Sequence, residues 1–253
     1  MTKYLIFGDG LLGTAFKQQA DTVVLSRLEC DITNKEDIIR ALDEFTPDVV
    51  VNCAGIVPKN KVPPGDMFKA NSFAPHIISD ICQGNSKFVH ISTNCVFDGK
   101  RASYSERDLT NATDVYGVSK TLGEPDNAFV IRTSFVGLPD PNGRGLLAWA
   151  KTQDSIIGYD KVLWNGVTTV ELVKKITELV KQDITGIRHI HGFTYSKYEV
   201  LKIANEILFG GRLNIQQETK ITTNPHVENK TLMSLYDDGY VRIPIEQQLK
   251  ELV

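Results

Sequence analysis

The stretch "FGDGLLG" (residues 7–13) constrains this chain more than any other. It follows the apolar run "KYLIF" (3–7) without a break and leads into "LLGTAFKQQA" (11–20), which reads as a helix. A strand that halts at glycine and restarts as a helix is the first half of a βαβ unit. In that place Gly8-x-Gly10-x-x-Gly13 becomes a dinucleotide fingerprint. Its glycines permit a tight turn, let backbone approach a pyrophosphate, and let helix and strand touch without a Cβ. The anion then sits on the N–H groups that open the helix. The spacing alone is weak, because a glycine-rich turn in any helix-covered sheet would also satisfy it; the two flanks make the difference.

The rest of the first half repeats the rhythm. "DTVVLS" (21–26) reads as a strand, and "NKEDIIRALDEF" (34–45) as a helix with Ile38, Ile39, Ala41, Leu42 and Phe45 at helical spacing, closed by Pro47. "DVVVNCAG" (48–55) is a strand apolar throughout, as expected when helices cover both faces of a parallel sheet. A helix over about 66–83, the strand "KFVHIST" (87–93), a polar loop, a helix holding Tyr116 and the strand "AFVIRTS" (128–134) follow. The alternation predicts an α/β fold, a Rossmann-like doubly wound parallel sheet over residues 1–140. Beyond that the pattern loosens. "PDPNG" (139–143) reads as a loop, "RGLLAWAKTQ" (144–153) and "TTVELVKKITELVKQ" (168–182) as helices, "IRHIHG" (187–192) as a strand and "SKYEVLKIANEILFGG" (196–211) as an amphipathic helix. Residues 141–253 are expected to form a small substrate-binding lobe interleaved with the last strands of the sheet.

Composition narrows the function. With 42% apolar and 23% charged residues, the chain is neither disordered nor fibrous. A net charge of −3 with scattered Lys and Arg argues against nucleic acid as partner. No apolar run approaches the roughly 20 residues of a membrane helix. "MTKYLIFGDG" lacks a signal-peptide layout, and Cys30, Cys53, Cys82 and Cys95 show neither a C-x-x-C pair nor metal spacing. A cytoplasmic protein with reduced thiols and no metal is the expectation, so the sequons at 111 and 229 carry no meaning. His189 and His191 share a strand face without a third ligand and read as structural. Trp149 and Trp164 suit packing as well as stacking on a sugar or base.

Two Tyr–Lys pairs at helical spacing compete for a catalytic role: Tyr116 with Lys120, and Tyr198 with Lys202. The spacing puts each pair on one helix face and is common by chance. Tyr116 is favoured by what precedes it. "HISTNCVFDG" (90–99) leaves Ser92 and Thr93 at the end of a strand, where open α/β sheets bind ligands. Tyr116 lies one loop and one helix turn beyond that edge. A tyrosine ionising near pH 10 needs help to act as an acid–base group at neutral pH, and an ammonium one turn away would favour the phenolate. Thr93 would hydrogen-bond the substrate oxygen. At the end of the second strand Ser26 and Arg27 stand where an acid would mark NAD, so NADP(H) is expected ahead of NAD(H), with Glu29 close enough to complicate the reading.

With these stretches in view, the chain resembles the extended short-chain dehydrogenase/reductases, and among them the dTDP-4-dehydrorhamnose reductase family. The resemblance rests on "FGDGLLG", "CDIT", "VNCAG", "ANSFAP", "ISTNCVFDG", "VYGVSKTLGE" and "VIRTSFVG", in the family's order over the first 140 residues. It implies that Gly10, Leu11 and Leu12 meet the cofactor pyrophosphate, beside the fingerprint's Gly8 and Gly13 and with Arg27 already expected at the ribose end. Asp31 and Ile32 would meet the adenine, and Ala54, Gly55 and Ile56 the ribose side. Thr93, Tyr116 and Lys120 become the catalytic triad, the last two also touching the cofactor, and Thr93, Asn94 and Phe135 face the substrate.

The chain departs from the family on the substrate side. Asn94 and Cys95 replace an Asp–Tyr pair, Phe135 replaces a Trp, "IVPKNKVPPGD" (56–66) differs from a more acidic run, and the chain is somewhat short. The resemblance implies an NAD(P)H-dependent reductase of a nucleotide-linked 4-keto sugar in activated-sugar biosynthesis, with a homodimer left open. A sugar-nucleotide epimerase on the same scaffold is the alternative. A non-catalytic nucleotide-binding subunit, like the beta subunit of methionine adenosyltransferase, is another. A dehydratase would carry an Asp–Glu pair after the threonine, and "TNC" (93–95) does not.

Overall fold

A computed structural model describes residues 1–58, 62–138, 145–219, 229–237, 239 and 241–253. The loop expected at 139–143, Arg144 and part of the 56–66 segment lie outside the described residues.

The glycine turn joins β1 (Tyr4–Phe7) to α1 (Leu11–Phe16). β2 (Thr22–Leu25), α2 (Lys35–Phe45) and β3 (Val49–Asn52) follow. α2 starts where Asn34 accepts a hydrogen bond from the Glu36 N–H at 3.0 Å, and it ends at Thr46 in the left-handed conformation before Pro47. The expected 66–83 helix is a run of α3 (Pro64–Phe68) and α4 (Ala74–Cys82) joined through one π-helical turn, Lys69–Phe73. Then come β4 (Lys87–Ile91), α5 (Val115–Thr121) and β5 (Phe129–Thr133). The second half holds β6 (Phe135–Val136), α6 (Leu146–Lys151), β7 (Ser155–Tyr159), β8 (Leu163–Trp164) and β9 (Val167–Thr168). It continues with α7 (Thr169–Leu179), β10 (Gly186–Ile190), β11 (Tyr195–Ser196), α8 (Lys197–Leu208), β12 (Asn214–Glu218) and α9 (Ile245–Lys250).

Six parallel strands form the main sheet in the order β10-β5-β4-β3-β1-β2. Strand side chains alternate between faces, and the sheet follows that rule. Ile6, Val51, Val89, Ile91 and Ile131 pack on one face with Leu172, Val173 and Ile176 of α7. Leu5, Phe7, Val50 and Val130 pack on the other with Ile38 of α2 and Ile78 of α4. Both faces are therefore helix-covered, which is why the strands read as unbroken apolar runs.

The second half divides its residues. β10 joins the sheet beside β5, and α7 covers a sheet face. The remainder builds a separate apolar cluster, with Leu147, Leu201, Ala204, Ile245 and Leu249 at its centre. Among the described residues no helix is long and apolar enough to cross a membrane.

Candidate active site

Strand order reverses between β1 and β3, since β2 lies to one side of β1 and all later sheet strands to the other. At such a switch point the loops after neighbouring strands diverge and leave a crevice. Here it is a cavity of about 260 Å³ lined by Gly8–Gly10, Arg27, Cys30–Thr33, Cys53–Ile56 and Ala70. The glycines that shape it are sterically required. Gly8 has φ +97°, and a Cβ there would meet the Ala54 backbone at 2.7 Å. A Cβ on Gly13 would lie 1.8 Å from the Gly8 carbonyl oxygen. Of the residues expected along the cofactor, Gly8, Gly10, Arg27, Asp31, Ile32, Ala54, Gly55 and Ile56 line this crevice. Leu11, Leu12 and Gly13 do not. The Leu12 side chain is in the core, which leaves the N–H groups that open α1 as what this segment offers an anion.

The second-strand end is arranged as follows. The Arg27 side chain is 74% exposed and pairs with Asp31 at 3.5 Å. Glu29 turns back to accept the Ser26 N–H at 2.7 Å, and its hydrogen bonds with the Ser26 hydroxyl and N–H hold its carboxyl below the usual range. Glu29 does not line the crevice. The space and the glycine cradle suit a dinucleotide.

A second cavity, of about 240 Å³, opens beside the first and shares Cys53, Ala54 and Gly55 with it. Its other walls are Val57, Ile91, Ser92, Thr93, Tyr116, Lys120, Thr133, Ser134 and Phe135. Thr93 lies two residues past β4 and caps a short 3-10 turn, accepting the Cys95 N–H at 3.1 Å. Tyr116 and Lys120 come from α5, which starts where Asp114 accepts the Gly117 N–H at 2.9 Å. The i, i+4 spacing then turns both toward the strand edge. Neighbouring Ser92 is committed elsewhere. Its hydroxyl donates to Glu124 at 2.6 Å, and Glu124 is clasped by Arg132 through Nε at 2.9 Å and Nη2 at 2.6 Å. Tyr198 and Lys202 line neither cavity; Tyr198 packs over Gly158 and Lys202 is exposed.

Protonation differs from the sequence expectation. Lys120 does not aim its ammonium at Tyr116; its Nζ donates to the Ile91 carbonyl at 2.9 Å and sits 3.1 Å from His90 Nε2. Burial pushes the Tyr116 phenol up from its ordinary value and the Cys95 thiol adds to that, while a hydrogen bond with Thr93 pulls it back in part. Burial lowers Lys120 to about 8, against the pull of Glu124 and Cys53. The reason is depth: a helix lysine that reaches down to the sheet loses solvation before it gains an acid partner.

Other expected residues separate. Phe135 lines the second cavity, whereas Asn94 donates its amide to the Lys230 carbonyl at 3.0 Å and does not. Trp164 donates to Ser134 at 2.7 Å, behind the cavity wall, and Trp149 is exposed on α6. His189 faces the carbonyls of Tyr104 and Met233 at 3.1 and 3.0 Å, and no metal-ligand cluster exists among the described residues. Sequence reasoning missed His90, Asn52 and the Glu124–Arg132 clasp. Only a polar residue inside an otherwise apolar strand, as at His90 in "KFVHIST", would have signalled them.

Known proteins share this chain's fold. A curated dTDP-4-keto-6-deoxy-D-glucose reductase from Streptomyces niveus is 27% identical over 180 residues, covering 66% of this chain and 62% of that protein. The chain spans 52% to 62% of the length of the first curated relatives it matches. The crystal structure of a dTDP-4-dehydrorhamnose reductase from Bacillus anthracis in complex with NADP superposes with a TM-score of 0.84 at 20% identity, covering 99% of this chain and 98% of that one. The Bordetella bronchiseptica enzyme WbmG, in complex with NAD and UDP, gives 0.79 at 14% identity over 98% and 92%. These two likenesses are of fold. The model of the family described as the RmlD substrate binding domain matches residues 2–149, more than half of the chain. With the glycine crevice and the Tyr116 cavity inside those residues, the chain belongs to the RmlD substrate-binding domain family.

Proposed function

We propose that this protein is a nicotinamide-dependent reductase of a keto group on a nucleotide-linked sugar. The observation that carries the reading is the meeting of the two cavities at Cys53–Gly55, with Thr93, Tyr116 and Lys120 on the far wall. The bound nicotinamide would supply the hydride. Gly8, Gly10 and the opening N–H groups of α1 would hold its diphosphate, with Ala54–Ile56 beneath the adjoining ribose. Thr93 donates to the keto oxygen and orients it, and Tyr116 gives that oxygen its proton at Oη. Burial keeps the phenol protonated until charge develops on the substrate, as a reduction requires of its acid. Lys120, anchored on the Ile91 carbonyl, stays close to the tyrosine on the cavity wall and holds the nicotinamide ribose.

The finer reading favours NADP(H) over NAD(H), because Arg27 lines the crevice while Glu29 is tied to Ser26. Residues 141–253 supply the substrate lobe. Four cysteines without a disulfide suit a reducing compartment, hence the cytoplasm. Asn94 is turned away, and Cys95 and Phe135 offer little hydrogen bonding to a sugar ring. The kcat/KM for dTDP-4-dehydrorhamnose should therefore fall below that for less hydroxylated 4-keto sugars, by up to roughly tenfold per lost hydrogen bond. The test is NADPH oxidation by purified protein across a panel of nucleotide-linked 4-keto sugars. Turnover of at least one is expected, and no oxidation with any of them would remove this reading.

A further inference from the structure

Lys197, the first residue of α8, carries an ammonium with no acid partner among the described residues. Two independent sets of contacts bring it beside the second cavity. On one side, its N–H donates to the Val162 carbonyl at 2.8 Å, and β11 and β8 pair Ser196 with Leu163 and Tyr195 with Trp164. Trp164 donates at 2.7 Å to the hydroxyl of Ser134, which lines the cavity. On the other side, the Lys197 pKa is lowered by burial and pulled back by Cys95, so the ammonium and that sulfur lie close together. Cys95 belongs to the 3-10 turn that Thr93 caps, and it comes second to burial in raising the Tyr116 pKa. Lys197 is thus tied both to the Ser134 wall and to the turn that carries Thr93.

These surroundings ask for an anion. The Lys197 side chain is half-buried, and an ammonium drawn from water costs free energy unless a counter-charge answers it. The nearest acid along the chain does not. Glu199 turns back to accept the Ser196 N–H at 2.6 Å, while the Ser196 hydroxyl accepts the Glu199 N–H at 3.1 Å. That capping box closes the start of α8, which leaves the lysine side chain alone to meet a ligand. The next residue, Tyr198, packs over Gly158 and takes no part.

We infer that Lys197 binds the diphosphate of the nucleotide-linked sugar, meeting its phosphate oxygens as a point charge. The inference rests on the substrate class proposed above. A ring whose keto oxygen meets Thr93 lies along the turn that holds Cys95, and the group attached to that ring then reaches Lys197. The cofactor diphosphate has its own cradle at Gly8 and Gly10, so the two diphosphates are held apart.

Calorimetric titration of the NADP-saturated protein reads the site without turnover, since bound NADP keeps the probes out of the glycine crevice. The probes are dTDP with thymidine, and UDP with uridine. In Lys197→Met the Kd of the tighter-binding diphosphate should rise about tenfold, while its nucleoside is unaffected. Lys197→Arg should restore most of the affinity, and Lys202→Met, at an exposed position of the same helix, should alter nothing. With a reducible sugar, Lys197→Met should raise its KM by a similar factor and keep kcat and the KM for NADPH. An unchanged diphosphate Kd in a Lys197→Met variant that melts like wild type would overturn the inference. A wild type that binds diphosphates no tighter than nucleosides would equally overturn it. If Lys197→Met does not fold, Lys197→Gln takes its place in both assays. Diphosphate binding that depends on Lys197 without reduction of any 4-keto sugar sinks the proposed function and keeps the site. Turnover with diphosphate binding indifferent to Lys197 does the reverse.

Discussion

Tyr116 and Tyr198 have the same residue type and the same lysine four positions on, yet only Tyr116 lines a cavity that meets the glycine crevice. Tyr116→Phe should lower kcat by about two orders of magnitude or more, the range for losing a positioned acid. Cofactor affinity should be nearly unchanged in a fluorescence titration, and Tyr198→Phe should do little in either assay. Arg27 belongs to the same scale. It is largely exposed and paired with Asp31, so a 2′-phosphate must compete with a carboxylate for it. Arg27→Ala should weaken NADPH by about 1 kcal/mol, close to fivefold in Kd, with NADH nearly unaffected. Asp31→Asn should tighten NADPH by releasing the guanidinium. Parallel titrations of both cofactors check this, and equal losses for the two on Arg27→Ala would remove the case for NADP.

The π-helical turn between α3 and α4 shows how an element reaches into the site. It inserts Asn71 and Ser72 where a regular helix would present other residues. Asn71 accepts the Ile56 N–H at 2.7 Å, donates to the Ile56 carbonyl at 2.8 Å, and donates to Ser119 at 3.1 Å. Ser72 donates to the Ser119 carbonyl at 2.7 Å. One residue thus ties the crevice wall after β3 to the helix that carries Tyr116 and Lys120. Asn71→Ala would strand the Ile56 amide groups and should cost about 2–3 kcal/mol in urea unfolding. It should also weaken cofactor binding, because the Cys53–Ile56 wall loses its anchor. "ANSFAP" was legible as a family stretch, but the π turn was not, since apolar spacing tolerates one extra residue without breaking its pattern.

At the scale of the molecule, acid is the expected weakness. His90, His189 and His191 are all buried, and burial holds each pKa below its ordinary value, His189 at about 4. The unfolded chain binds protons on these rings near pH 6.5, whereas the folded chain refuses them until lower pH. Stability is therefore full above pH 6.5 and falls as pH drops toward 4. The contribution from His189 alone is on the order of 2–3 kcal/mol. Thermal melts between pH 7 and 4.5 should show the fall, and His189→Asn should reduce its slope while keeping a donor for the Tyr104 and Met233 carbonyls. What the sequence determined by itself was whatever depends on local periodicity and steric need. The strand–glycine–helix start and the apolar strands covered on both faces follow from neighbours within a few positions, while the preference for "DVYGVSK" over "SKYEVLK" drew on the strand end "HISTNCVFDG", a whole loop earlier. Tertiary structure decided the rest. It placed β10 beside β5, turned Asn94 to Lys230 and Glu29 to Ser26, and buried Lys120 against His90. Most of those outcomes join residues from about 30 to 136 positions apart. Glu29 folds back over only three positions, and there a side chain chose between a cofactor and its own backbone. Hydrogen-bond direction and burial set each of these, and neither is written in spacing along the chain.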